Sequence, residues 1–105
     1  TAGTLAMRLY QDRLAARGYD CLVPEPGEMA RLVTPAIAAV KAGLVAVAHA
    51  PLAEAAGALV ARGARAVVLG CTEIPLGLAA GPPLQLPVAD TLDALARAAI
   101  AWARG

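Results

Sequence analysis

The stretch Ala66–Pro75 constrains the fold of this chain more than any other part of the sequence. It reads Ala-Val-Val-Leu-Gly-Cys-Thr-Glu-Ile-Pro, a short apolar run that ends at Gly70 and delivers a cysteine into a turn. A continuous apolar run bounded by a turn signal is typical of a strand buried on both faces of a parallel sheet. Ligands of such sheets bind beyond the carboxyl ends of the strands. We therefore expect Cys71 to lie at the ligand-binding edge of a parallel sheet.

The rest of the chain alternates helical and strand-like patterns. The predicted helices span Thr4–Arg17, Glu28–Ala42, Pro51–Arg62 and Pro75–Ala80, and a last one begins at Asp90. The predicted strands span Asp20–Val23, Ala66–Gly70 and Leu84–Ala89. Strands that alternate with helices imply a parallel sheet with right-handed crossovers. The predicted fold class is therefore α/β, in three αβα layers around a mostly parallel sheet.

Two segments leave local alternatives open. Pro35 interrupts the second helical pattern, which predicts either a kink or a restart with Thr34 as N-cap and Pro35 at the first helical position. The segment Leu44–Ala50 fits either a connector or a short strand. Gly18 and Gly63 stand directly after helical patterns, where C-terminal capping glycines belong.

Composition excludes several classes of function. The 105 residues suffice for one domain, and their net charge of +1 is spread along the chain. No basic patch predicts binding to nucleic acid, and no apolar run reaches the roughly 18–20 residues of a membrane span. Cys21 and Cys71 lack the spacing of metal ligands, so no metal site is predicted. A chain of this composition without a leader is expected in the cytoplasm, with both thiols reduced.

Cys71 is the first candidate for chemistry. It could be a buried structural thiol, because free cysteine behaves as a small hydrophobe, and position alone favours neither alternative. Its neighbours favour function. Gly70 permits close backbone approach, Thr72 offers a hydroxyl and an N–H at a helix start, and Glu73 is a carboxylate two residues away. A thiolate at such a turn could act as base or nucleophile on a small anion.

Other polar residues have simpler explanations. Cys21 lies inside a predicted strand and is expected to be structural, and His49 is expected to be half-buried or an N-cap. Asp90 is predicted to cap the last helix, with Asp93 adding favourable charge in its first turn. Thr4 could be a helix cap or a carboxylate-binding residue. From these residues the sequence predicts a thiol-bearing α/β domain for small anions.

The block Val68–Pro75 strongly resembles the second cysteine motif of the aspartate/glutamate racemase family. The resemblance extends over nearly the whole chain. Thr1–Thr4 is similar to the Gly-Thr turn that opens the second half of those enzymes, and Arg62–Ala64 fits the approach to the cysteine strand. Pro87–Thr91 resembles the family's Pro-x-x-Asp-Ser/Thr before the last helix.

The resemblance implies two similar α/β halves with the substrate between them, and residues 1–105 as the C-terminal half. It makes Cys71 the second-half acid/base in a cofactor-independent amino-acid racemase, with no cofactor and no metal. Glu73 would assist the thiol, Thr72 and Gly70 would help to bind the substrate's α-carboxylate, and Thr4 could touch its carboxylates. The expected partners are a small carboxylate or amino-acid substrate and either the missing N-terminal half or another copy of the chain, as a homo-oligomer.

Several alternatives remain open at this point. This half is expected to be inactive alone, because the first half and its thiol are absent and Cys21 is not at the end of a strand. Leu44–Ala50 carries no Lys or Arg to bind a side-chain carboxylate. Hydantoin racemases, maleate isomerases and arylmalonate decarboxylases share the two-half fold, and the decarboxylases need only one cysteine. A module that binds a small carboxylate or dimerises without catalysis is the alternative outside enzymes.

Overall fold

A computed structural model describes all 105 residues of the chain as seven helices and two strands. The helices are α1 Ala2–Ala6, α2 Leu9–Ala16, α3 Pro26–Glu28, α4 Thr34–Lys41, α5 His49–Ala61, α6 Glu73–Ala79 and α7 Thr91–Ala103. A π-helical segment, Met29–Val33, joins α3 to α4, and a 3-10 turn, Val45–Val47, precedes α5. The strands are β1 Val67–Leu69 and β2 Val88–Asp90. The predicted α/β class is confirmed.

The two strands form a parallel sheet through a β1–α6–β2 crossover. Their register pairs Val67 with Val88 and Leu69 with Asp90. Pro87 lies just before β2 and has no N–H to donate, but its carbonyl accepts the Val67 N–H at 3.0 Å. A strand is thus present within the predicted range Leu84–Ala89, but it begins only at Val88, after the proline.

The predicted strand Asp20–Val23 is wrong, because these residues are in no sheet. They line a cavity that β1 also lines, and β1 pairs only with β2. The Arg62 guanidinium instead donates to the Val23 carbonyl at 3.0 Å. The sheet therefore has two strands rather than three.

The predicted N-terminal helix Thr4–Arg17 is divided in two. Arg8 takes a left-handed conformation with φ of 54°, which no regular helix tolerates in its interior. Its guanidinium pairs with Asp12 at 3.2 Å, one turn into α2. Thr1 caps α1 by accepting the Thr4 N–H at 3.3 Å, so the prediction that Thr4 could be the cap is wrong.

Pro35 is accommodated without a break in the helical path. The π-helical segment precedes it, and the Thr34 N–H bonds to the Met29 carbonyl five residues back. The wider π turn changes the hydrogen-bond register just before the residue that has no N–H to donate. The predicted restart at Thr34 is wrong, because Thr34 is a helical residue of α4 and not an N-cap. In the next helix, Pro51 lies inside the first turn and not at the start, because α5 begins at His49.

The core is formed by the helices and not by the sheet. One cluster comprises Leu32, Val33, Ile37 and Ala55, and a second comprises Ala36, Val40, Ala48 and Leu52. Helix α6 contacts both through Ile74 and brings Gly77 against the second. A Cβ at Gly77 would lie 2.7 Å from Leu52 Cδ1 and 3.1 Å from Ala48 Cβ, so a larger residue would force these neighbours to shift.

Helix α7 begins as predicted, but it makes few packing contacts with the rest of the chain. The Asp90 carboxylate caps it by accepting the Leu92 N–H at 2.9 Å and the Asp93 N–H at 3.4 Å. No residue of α7 is buried, and its apolar positions lie largely in solvent. The apolar face of α7 comprises Leu92, Leu95, Ile100 and Trp102, which are 55%, 66%, 53% and 86% exposed. None of the helices combines the length and the apolar character that crossing a membrane requires.

Candidate active site

Cys71 lies where the sequence predicts, directly beyond the carboxyl end of β1. It stands between Gly70 and Thr72, in the turn that leads from the strand into α6. Its side chain is half-buried and packs on the first core cluster beside Met29 and Ile74. The thiol is free, and its partial exposure leaves it accessible from solvent. The turn therefore presents one accessible nucleophile, whose side chain is supported by the core residues beneath it.

Glu73 supplies the negative charge of this turn. Its pKa is lowered from the usual 4.5, first by a hydrogen bond from its own backbone N–H and then by the Thr72 hydroxyl. The Cys71 thiol and the positive charge of Lys41 act in the same direction, and partial desolvation opposes them. Glu73 is thus a carboxylate at neutral pH, with the Cys71 thiol and the Thr72 hydroxyl near it. Three of the predicted site residues therefore lie together in one turn.

The residues before Cys71 are held from two sides. The Thr91 hydroxyl, at the start of α7, donates to the Leu69 carbonyl at 2.8 Å in a partly buried position. On the other side the Tyr10 ring covers Gly70, and a Cβ on that glycine would lie 3.2 Å from the ring carbon Cε2. The close approach predicted at Gly70 is therefore made by an aromatic ring of α2.

Thr4 and Gly70 line the same large cavity. It has a volume of about 850 Å³ and lies between the N-terminal helices, the Asp20–Val23 segment, α5 and β1. Most of its lining residues are hydrophobic, 21 of 30. Gln11 also lines it, with a buried Oε1 that accepts no hydrogen bond. The structure brings Thr4 to this cavity, whereas Cys71 lies outside it at the end of the strand.

The cavity does not unite the two cysteines. Cys21 lines it but lies in the irregular segment before α3, where its thiol approaches the Leu22 carbonyl at 3.9 Å. Both cysteines are free. His49 is half-buried, as predicted, with its ring against Gly81 and Nε2 2.8 Å from the Pro82 carbonyl. His49 thus holds the loop after α6 and does not reach the cysteine turn through any hydrogen bond.

No group of three or more His, Cys, Asp or Glu side chains stands close enough to hold a metal ion. The possible metal ligands nearest to Cys71 are the Glu73 carboxylate and the Thr72 hydroxyl. A free thiol with a carboxylate in the same turn can transfer a proton to or from a carbon acid.

Three residues of the site environment are not evident from the sequence as site residues. Tyr10 reads as an apolar position of a helix, and Lys41 as the last turn of another. Thr91 belongs to the Pro87–Thr91 motif, but nothing in its spacing indicates the bond to Leu69. The register of β1 on β2 brings Thr91 there, and a register is not readable from one strand alone.

Comparison with known proteins shows the family of the chain. Residues 1–99 match the family described as Asp/Glu/Hydantoin racemase. A relative from Pectobacterium carotovorum subsp. carotovorum, named "Uncharacterized protein in pnlA 3'region", is 36% identical over 76 residues, which is 72% of this chain. The chain spans about half the length of this curated relative, because the match covers 50% of it. No solved structure matches the chain. The chain belongs to the Asp/Glu/Hydantoin racemase family.

Proposed function

We propose that this chain is the C-terminal half of an amino-acid racemase that uses thiol acid/base chemistry without a cofactor, with Cys71 as one of its two acid/base groups. The observation that carries the proposal is the turn Gly70–Glu73, which presents a free, half-buried thiol beyond the end of a parallel strand. This is the edge at which open α/β sheets bind their ligands. Family membership supports the reaction class.

The reaction needs one proton to leave the α-carbon and another to arrive on the opposite face. The Cys71 thiolate takes the α-proton and becomes a thiol, and the electron pair of the broken C–H bond delocalises into the substrate's carboxyl group. A second acid then protonates the opposite face of the carbon. Cys21 lines a cavity that Cys71 does not, so we assign the second acid to another half or another copy of the chain.

Glu73 and Thr72 have supporting roles in this proposal. The lowered pKa of Glu73 keeps its carboxylate charged in the same turn as Cys71, where it can accept or return a proton. Thr72 is exposed, so its hydroxyl can be reached by the α-carboxylate of a substrate in solution.

The test is exchange of the α-proton in D₂O, followed by NMR for both enantiomers of Asp and Glu. The complete protein should exchange the proton, Cys71→Ser should not, and Cys21→Ser should retain the wild-type rate. The 105-residue chain by itself should be inactive. A complete protein that exchanges no amino acid or hydantoin, or a Cys71→Ser variant with full activity, contradicts the proposal.

The apolar cavity favours a second candidate within the same family, racemisation of a hydantoin or another substrate with an apolar substituent. The cavity adjoins the cysteine turn at Gly70, and 21 of its 30 lining residues are hydrophobic, although Arg62 and Arg65 also line it. The same exchange assay with 5-substituted hydantoins separates the candidates. Maleate isomerisation and arylmalonate decarboxylation are distinguished by their products, and the decarboxylase would retain activity without a second cysteine.

The exposed apolar face of α7 favours binding of a partner chain. Four large side chains, each more than half exposed, form one side of a helix that has no buried residue. Exposed apolar patches of this kind mark interaction surfaces. The proposed partner is the N-terminal half or a second copy of the chain. A homo-oligomer that binds carboxylates without proton exchange would instead identify a non-catalytic module, and light scattering combined with the exchange assay distinguishes these outcomes.

A further inference from the structure

We propose that Thr91 is a positioning residue for Cys71, acting through the carbonyl of Leu69. The inference rests on the proposed function of Cys71, but the contact that carries it is independent of any substrate. The Thr91 hydroxyl donates to the Leu69 carbonyl at 2.8 Å, two residues before the cysteine. Thr91 itself touches neither Cys71 nor Glu73 through a hydrogen bond, so its effect must pass through the backbone.

The bond is placed where the ladder between the strands ends. The register pairs Leu69 with Asp90, so Leu69 is the last paired residue of β1 and Thr91 is the first residue after β2. Beyond this point the backbone of Gly70 is outside the sheet. The hydroxyl therefore extends the attachment of β1 by one contact, at the position from which the chain turns towards the thiol.

This contact matters because the next residue is a glycine. The carbonyl of Leu69 and the N–H of Gly70 belong to one planar peptide unit, so a bond to the carbonyl fixes the orientation of the whole plane. Gly70 has no Cβ and adopts more backbone conformations than any other residue. Without a hydrogen bond to the preceding peptide plane, the orientation of the Cys71 backbone, and so of its thiol, would vary.

Tyr10 completes the restraint from the opposite side. Its ring lies against Gly70 so closely that an added Cβ would be 3.2 Å from Cε2. The ring limits where the glycine can move, and the hydroxyl of Thr91 fixes how its peptide plane is turned. The anchor at Thr91 is the one that depends on a single polar atom, so a variant can remove it without changing the packing volume.

Thr91→Val removes the hydroxyl and keeps the shape, whereas Thr91→Ser keeps the hydroxyl. Thr34→Val is the matched control, because Thr34 is exposed and caps no helix. In the 105-residue chain, alkylation by iodoacetamide is followed at both cysteines by peptide mass spectrometry. Cys21 is the internal reference, since it is also free and half-buried but lies in the segment before α3.

We expect Thr91→Val to raise the alkylation rate of Cys71 at least about threefold while Cys21 is unchanged, because loosening the turn exposes a half-buried thiol. Thr91→Ser and Thr34→Val should both react at the wild-type rate. A ratio of the two cysteine rates that does not change in Thr91→Val overturns the proposal. An equal rise at both cysteines overturns it too, because it indicates general destabilisation.

The complete protein provides a second readout. Misdirection of a catalytic group costs turnover more than binding, so Thr91→Val should lower kcat for proton exchange about tenfold and change KM less than about twofold. Thr91→Ser should restore kcat. Unchanged kcat in Thr91→Val refutes the positioning role. If the wild-type protein exchanges no substrate at all, the proposed function fails, and the alkylation ratio alone then decides the role of Thr91.

Discussion

Gly77 provides the most direct test of how α6 packs on α5. It is the buried residue of α6, and it faces Leu52 and Ala48 of the second core cluster. In an isolated helix, Gly→Ala is stabilising by about 1 kcal/mol because alanine loses less backbone entropy on folding. At Gly77 we expect the opposite sign, because the space that the methyl group needs is already filled.

The expected magnitude follows from two distances. The new Cβ would lie 2.7 Å from Leu52 Cδ1 and 3.1 Å from Ala48 Cβ, whereas carbon atoms pack best at about 3.5–4.0 Å. Leu52 can turn its methyl group only within the core, where it is 5% exposed, and Ala48 has no rotamer to change. Overpacking of this kind costs about 1–3 kcal/mol. Subtracting the helix-propensity gain leaves a net loss of about 1 kcal/mol.

Gly57→Ala is the matched control. Gly57 lies inside α5, and a Cβ there would meet no atom within 4 Å. This variant should gain about 1 kcal/mol, so the difference between the two variants isolates the overpacking cost. Thermal unfolding followed by circular dichroism measures it, since about 1 kcal/mol shifts Tm by about 4–8 °C in a domain of this size. An equal rise in Tm for both variants would refute the packing of α6 on α5.

Three further predictions concern charge, capping and the exposed helix. The pKa of Glu73 is lowered in the folded chain, so its contribution to stability is present above the usual 4.5 and is lost as the pH falls through the folded value. Glu73→Gln should therefore reduce the fall of Tm on acidification, and parallel Tm curves for the two proteins would contradict this. Asp90→Ala should cost about 0.5–2 kcal/mol in the free energy of unfolding through loss of the α7 cap, while Asp90→Asn should retain most of it, as measured by urea denaturation. Trp102, the single tryptophan and 86% exposed, should shift its fluorescence to shorter wavelength when a partner covers α7. Leu95→Glu should abolish that shift, and an emission that responds neither to concentration nor to the added N-terminal half would contradict the partner proposal.

The local features of the fold were predictable because their signals are contained in a few adjacent residues. The strand before Cys71, the helix after Asp90 and its capping by that aspartate are all confirmed. Glycines 18 and 63 both take positive φ, as C-terminal caps require. The place of Cys71 followed from the same local logic, since a glycine after an apolar run ends the strand.

The features that depend on distant contacts were not predictable. Asp20–Val23 has a strand-like composition, but a strand needs a neighbour to bond with, and β1 pairs only with β2. The left-handed Arg8 divides a helix at a position with neither glycine nor proline. The need for glycine at position 77 comes from Leu52 on another helix. The interaction of Lys41 with Glu73 likewise joins residues that only the packing of α4 on α6 brings together.

The β1–α6–β2 unit has a consequence for the order in which the chain folds. The contacts that shape the cysteine turn from within the sheet join Leu69 to Asp90 and Thr91, and Thr91 is 22 positions away. Tyr10 is much further from Gly70 along the chain, so the sheet contacts close the smaller loop and cost less loop-closure entropy. Helices α1 and α2 have no buried residue and contribute mainly the Tyr10 ring. The β1–α6–β2 unit can therefore fix the backbone before Cys71 first, and the Tyr10 ring can pack on Gly70 afterwards.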